Sequence, residues 1–127
     1  GLPDDGNVGK LIRWIETSDR YLVTVCHGPA AMIARDNKDE PNPYSGYKMV
    51  AFPDKFDKQS PSLGYFPGQL PWFQCEALEK EGIEVINDKI TGATHIDKKL
   101  ISGDSPKACD DLGKITVDAL FKELGVN

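Results

Sequence analysis

Cysteine and histidine are scarce in this chain of 127 residues, which has three of the first and two of the second. The cysteines, Cys26, Cys75 and Cys109, are odd in number, widely spaced and free of any Cys-x-x-Cys pair. That argues against a disulfide framework and against a zinc knuckle, and a reducing cytoplasm fits best. With only His27 and His95, no histidine-rich metal site can be assembled, and none is expected from this chain's own residues. Basic residues are outnumbered 15 to 20 by acidic ones, a net charge of −5. The deficit argues against nonspecific binding to nucleic acid or to an anionic membrane surface. No apolar run approaches the ~20 residues that span a bilayer. The opening Gly1-Leu2-Pro3-Asp4-Asp5 lacks an initiator methionine, a basic n-region and an apolar h-region, so no signal peptide is expected. Repeats and low-complexity tracts are absent too.

What remains is an ordinary soluble composition, 39% hydrophobic and 28% charged, and a length that suits one domain. Asn7 is a candidate cap for a helix whose apolar positions Val8, Leu11, Ile12 and Ile15 recur at helical spacing. Tyr21 to Val25 reads as a buried parallel strand. A helix is expected after Cys26, through Ala30 to Ala34, and then a polar surface loop over 36–45. Tyr47 to Phe52 reads as a strand, Pro53 to Gly68 as a long loop, Pro71 to Glu81 as a helix stopped by Gly82. Short strands follow over Ile83 to Ile86 and Leu100 to Ser102. Ser105 then caps a closing helix with Pro106 at its first position and a buried stripe of Ala108, Leu112, Ile115 and Ala119. Alternation of this kind predicts an α/β fold, with ligands beyond the carboxyl ends of the strands.

Cys26 lies at such an end. It follows Val23-Thr24-Val25 and precedes His27-Gly28-Pro29-Ala30-Ala31. A cysteine on a sharp strand-to-helix turn is lifted out of the sheet, as in a nucleophile elbow with cysteine in place of serine. A helix N-terminus there favours the thiolate. His27 can reach the sulfur as acid or base, and its backbone N–H is a natural oxyanion donor. The histidine needs a carboxylate to orient it, and the loop offers Asp54 and Asp57, between which the pattern does not choose. Cys75 and Cys109 read as packing residues, since free cysteine is commonly buried. Lys55, Lys58, Lys98 and Lys99 read as solvated.

The segment Cys26-His27-Gly28-Pro29-Ala30-Ala31 resembles the elbow of the DJ-1/PfpI superfamily, and more narrowly its HchA-type branch of heat-inducible chaperone and glyoxalase III proteins. The same resemblance runs through Ala51-Phe52-Pro53-Asp54, Asp57-Lys58-Gln59-Ser60-Pro61 and Gly64-Tyr65-Phe66-Pro67-Gly68. It continues in 86–92 (Ile86 to Gly92) and 100–106 (Leu100 to Pro106), and so covers essentially the whole chain. It implies a flavodoxin-like three-layer α/β/α sandwich with a mostly parallel sheet. Family members are roughly twice this length, so residues 1–127 would be the C-terminal half of a single such domain.

The resemblance also implies a catalytic Cys26-His27-Asp57 constellation, with the acid at Asp57. The implied chemistry is glutathione-independent conversion of methylglyoxal to lactate, with deglycation of proteins and nucleic acids assigned alongside it. No cofactor is required for that chemistry. A zinc site, like a glycine-rich oxyanion contribution and a buried glutamate, would belong only to the N-terminal half. Implied partners are a small 2-oxoaldehyde, unfolded client proteins, the N-terminal half of the same protein and a second copy in a homodimer. Two other functions fit the same residues: a holdase chaperone, and a cysteine peptidase or amidase.

Overall fold

The structure is a computed structural model that describes residues 1–126. A 3-10 turn (Leu2–Asp4) opens the fold, and helix α1 (Gly6–Thr17) and β1 (Leu22–Val25) follow. A six-residue 3-10 helix (Gly28–Ile33) leads to β2 (Lys48–Met49), α2 (Asp54–Gln59), α3 (Gln74–Lys80) and β3 (Glu84–Val85). Strands β4 (Thr94–Asp97) and β5 (Leu100–Gly103), a 3-10 turn (Pro106–Ala108) and α4 (Cys109–Leu124) complete it. Strand β1 pairs in parallel with β5, β4 pairs antiparallel with β5, and β2 pairs in parallel with β3. Two of the three pairings are parallel; β1-β5-β4 is a three-stranded sheet, mixed because β4 and β5 form a hairpin, and β2-β3 is a separate parallel pair.

Layering follows from which residues face which helix. Leu100 belongs to the core cluster with Ile12 of α1, Met32, Tyr44, Met49, Leu78 and Ile83. Gly103, three residues on, faces the other way: a Cβ built there would meet Ala108 and Leu112 at 3.0 and 3.4 Å. Residues an odd number apart on a strand point to opposite faces. Helices α1 and α4 therefore cover opposite sides of β1 and β5.

Several expectations are corrected. Asp5 rather than Asn7 caps α1, accepting from the Asn7 N–H at 2.7 Å. The strand expected over 47–52 is cut to Lys48–Met49, and its continuation is bonded by side chains instead. Asn87 pairs with Ala51 through both amide atoms, at 3.0 and 2.9 Å, and the Ser102 hydroxyl accepts from the Val50 N–H at 3.0 Å. The loop expected from Pro53 holds helix α2. The tract 36–45 is not all surface: Asn42 and Tyr44 are buried, and the Asn42 amide donates to the Met32 carbonyl at 2.7 Å. Strand β4 carried too little apolar alternation to be read. On α4 only the first part of the expected stripe is buried; Ile115 and Ala119 are half-buried.

Candidate active site

Cys26 ends β1 with a left-handed backbone, φ 60°. For a non-glycine residue that conformation costs about 1–2 kcal/mol, and such outliers gather at functional sites. The surrounding bonds hold it. The Cys26 N–H donates to the Gly103 carbonyl at 3.0 Å, and the Cys26 carbonyl accepts from the Phe52 N–H at 3.0 Å. Gly28 lets the chain turn back over the strand, because a Cβ there would lie 2.7 Å from the Thr24 hydroxyl.

The turn brings three sequence-predicted residues together. His27 Nδ1 stands 3.4 Å from Cys26 Sγ. His27 Nε2 stands 2.8 and 3.1 Å from the two oxygens of Asp57. Asp57 is buried, its side chain 4% exposed, while the His27 side chain is 49% exposed. An ionised carboxylate only accepts, so Nε2 carries the hydrogen in this arrangement and Nδ1 is left to take a proton from the thiol. The Phe52 ring lies 4.6 Å from the imidazole, centroid to centroid, and Phe56 backs Phe52 at 6.2 Å.

The electrostatics of the thiol differ from the expectation of a favoured thiolate. Burial pushes the Cys26 thiol up, and the charges of Asp57, Cys109 and Asp104 add to it; the His27 backbone N–H opposes them. The helix after the elbow is a short 3-10 segment that begins at Gly28. Few peptide dipoles are aligned there, and they start two residues beyond the sulfur, so the expected dipole contribution is small.

The other candidates have different work. Asp54 faces away from His27 and caps α3, accepting from the Cys75 and Glu76 N–H groups at 2.8 and 3.0 Å. Cys75 is half-buried with its sulfur donating to the Phe52 carbonyl at 3.3 Å. Burial and then Asp54 push its thiol up to about 12. Cys109 is exposed rather than a packing residue, because α4 turns that position outward. Lys99 is no freely solvated lysine: it bonds Asp19 and Glu123 at 2.7 Å each. Lys58 bonds Glu76 at 2.6 Å and lies over the Phe73 ring.

Two buried polar residues were missed. Asp104, fully buried, accepts from the N–H groups of Thr91, Gly92 and Ala93 and from the Ser105 hydroxyl. Burial pushes its carboxyl up, but Thr91, Ser105, Ala93 and Gly92 outweigh that and hold it below the usual range. Its signal, an Asp-Ser pair before a proline-started helix, reads only as a cap. Gln74, also buried, bonds the backbone of the elbow itself. Nothing in its sequence context marks it. Among the described residues no cluster of three His, Cys, Asp or Glu is placed to hold a metal ion, and no helix is long and apolar enough to cross a membrane.

No family model matches the chain. Curated relatives do. The protein/nucleic acid deglycase HchA of Escherichia coli is 46% identical over 121 residues, which is 95% of this chain and 42% of that protein. An Escherichia coli protein named protein/nucleic acid deglycase 1 matches to the same extent. The chain thus spans less than half the length of these relatives. Among solved structures, the 24 kDa rapid encystment protein of Francisella tularensis superposes with a TM-score of 0.79 at 19% identity, over 94% of this chain and 52% of that one. Glyoxalase III of Candida albicans superposes with a TM-score of 0.70 at 20% identity, over 93% and 51%. Fold and elbow define the class, a flavodoxin-like α/β protein with a cysteine at the strand-to-helix elbow. Its sequence similarity is to the HchA-type deglycases.

Proposed function

We propose that this chain carries the nucleophilic half of a glutathione-independent glyoxalase III-type enzyme, with deglycase activity as its consequence on glycated groups. The observation that supports it most is the run Cys26 Sγ, His27, Asp57, with spacings of 3.4 and 2.8 Å on a left-handed elbow. The names of the relatives, deglycase and glyoxalase III, agree with it.

In this reading His27 Nδ1 takes the thiol proton, and the sulfur adds to the aldehyde carbon of methylglyoxal. The oxyanion formed lies beside the His27 N–H and becomes a hemithioacetal on protonation. The proton on the former aldehyde carbon moves to the neighbouring carbonyl carbon and the hydroxyl proton passes to the former ketone oxygen, giving a thioester of lactate. Water cleaves the thioester, releasing lactate and restoring the thiol, so one water is consumed in all. Asp57 steadies the imidazolium each time His27 holds the extra proton. The burial that raises the thiol is offset here by passing its proton directly to a neighbouring base.

The partners proposed with this reading are a small 2-oxoaldehyde and, against the free edge of β1, the part of the fold that the longer relatives carry and this chain does not span. Capture of unfolded chains is a second reading. It draws on α4, where Val117, Leu120, Phe121 and Leu124 are all exposed at spacings of three and four. That spacing makes one continuous apolar stripe on a helix.

One substitution separates the two. In the protein at its native length, Cys26→Ala should abolish lactate formation from methylglyoxal and leave suppression of a heat-labile client's aggregation unchanged. Retained conversion would remove Cys26 as the nucleophile.

A further inference from the structure

Gln74 opens α3, 4% exposed, and its amide spans the elbow. Nε2 donates to the Cys26 carbonyl at 3.0 Å, and Oε1 accepts from the Ala30 N–H at 3.1 Å. A carbonyl only accepts and an N–H only donates, so the orientation of the amide is fixed by its partners.

Neither partner needs Gln74 for its own satisfaction. The Cys26 carbonyl also accepts from Phe52, and the Ala30 N–H also donates to the His27 carbonyl at 3.2 Å. A buried amide carries a desolvation cost, and here it is spent on groups already bonded. What Gln74 adds is direction. The peptide between Cys26 and His27 is trans and planar, so its C=O and N–H point opposite ways. With the carbonyl held by two donors on one side, the His27 N–H is held pointing the opposite way, and it pulls the Cys26 thiol down against the burial that raises it. A flip of this peptide would turn the carbonyl oxygen toward the sulfur and withdraw the N–H from any oxyanion.

We propose that Gln74 is a positioning residue that locks the Cys26–His27 peptide with its N–H aimed at the sulfur and at the oxyanion formed beside it. The proposal rests on the reading of Cys26 as nucleophile, and it assigns a role to a residue outside the Cys-His-Asp group.

The titratable groups that act on the sulfur are the His27 imidazole, 3.4 Å away on the elbow, and through their charge Asp57 on α2, Asp104 after β5 and Cys109 at the start of α4. Gln74→Met preserves side-chain length and touches none of them. In the protein at its native length this variant should stay folded, with a melting temperature near that of the parent. Iodoacetamide labelling of Cys26, mapped by mass spectrometry across pH, should shift to higher pH. With methylglyoxal, kcat should fall roughly ten- to a hundredfold, within the range for losing an oxyanion donor, and KM should hold. Gln74→Glu keeps the acceptor for Ala30 but faces the Cys26 carbonyl with a negative charge, so its labelling profile should move further. An unshifted profile in folded Gln74→Met overturns the proposal, as does a loss of kcat matched by an equal rise in KM. The labelling arm needs no substrate. A shifted profile in a protein that never converts methylglyoxal would sink the glyoxalase reading alone.

Discussion

Asp54 and Asp57 stand one helical turn apart on α2 and serve different elements: Asp57 binds the His27 imidazole at 2.8 Å, while Asp54 caps α3. Asp57→Asn should therefore keep the melting temperature close to the parent's and lower turnover, because an amide does not stabilise an imidazolium. Asp54→Ala should do the reverse, lowering stability by about 1 kcal/mol through the lost cap with a smaller effect on turnover. Thermal melts and methylglyoxal turnover on both variants decide it. The opposite ranking would exchange the roles.

The three thiols should separate by access and burial. Cys75, its thiol pushed up to about 12, should resist alkylation in the folded protein at every pH below strongly alkaline. Cys109, exposed, should label readily. Cys26, raised by burial, should gain reactivity as pH rises beyond the ordinary thiol range, since only the thiolate attacks. Timed alkylation with peptide mapping reads all three. A Cys26 profile already level below neutral pH would contradict the burial effect.

The left-handed backbone at Cys26 makes a prediction about stability alone. Glycine tolerates φ 60° without a Cβ penalty. Cys26→Gly should therefore be more stable than Cys26→Ala by about 1 kcal/mol, although glycine loses more entropy on folding. Denaturant titrations of the two variants measure the difference, and equal midpoints would mean that the elbow relaxes.

Asp104 ties the 91–93 turn behind the elbow, and its loss strands three backbone N–H groups. Asp104→Ala should cost about 3 kcal/mol or more. Its carboxyl is held below the usual range, so its contribution is complete above the unfolded value of about 3.9 and is lost as pH falls through the folded value. The stability gap between parent and Asp104→Asn should accordingly stay level from pH 7 to 5 and close toward stronger acid. A gap that widens on acidification would reverse the sign.

Sequence alone determined the elbow, the α/β class and the short list of chemical groups. An apolar run ending at Cys26, followed by His27-Gly28-Pro29, is local information, and so is the cap-and-proline start of the last helix. The resemblance of the motifs then put Asp57 ahead of Asp54. Only the tertiary structure showed what each carboxylate touches, because a helical turn presents both and the partners lie 30 and 21 residues away in sequence. The same reason hid Gln74, whose bonds reach back 48 and 44 residues to Cys26 and Ala30. It hid Asn87 as well, whose amide stands in for a strand beside Ala51. Thiol electrostatics were misjudged for a related cause. A helix dipole can be guessed from a motif, but burial is a property of everything packed around the sulfur, and at Cys26 burial has the larger effect.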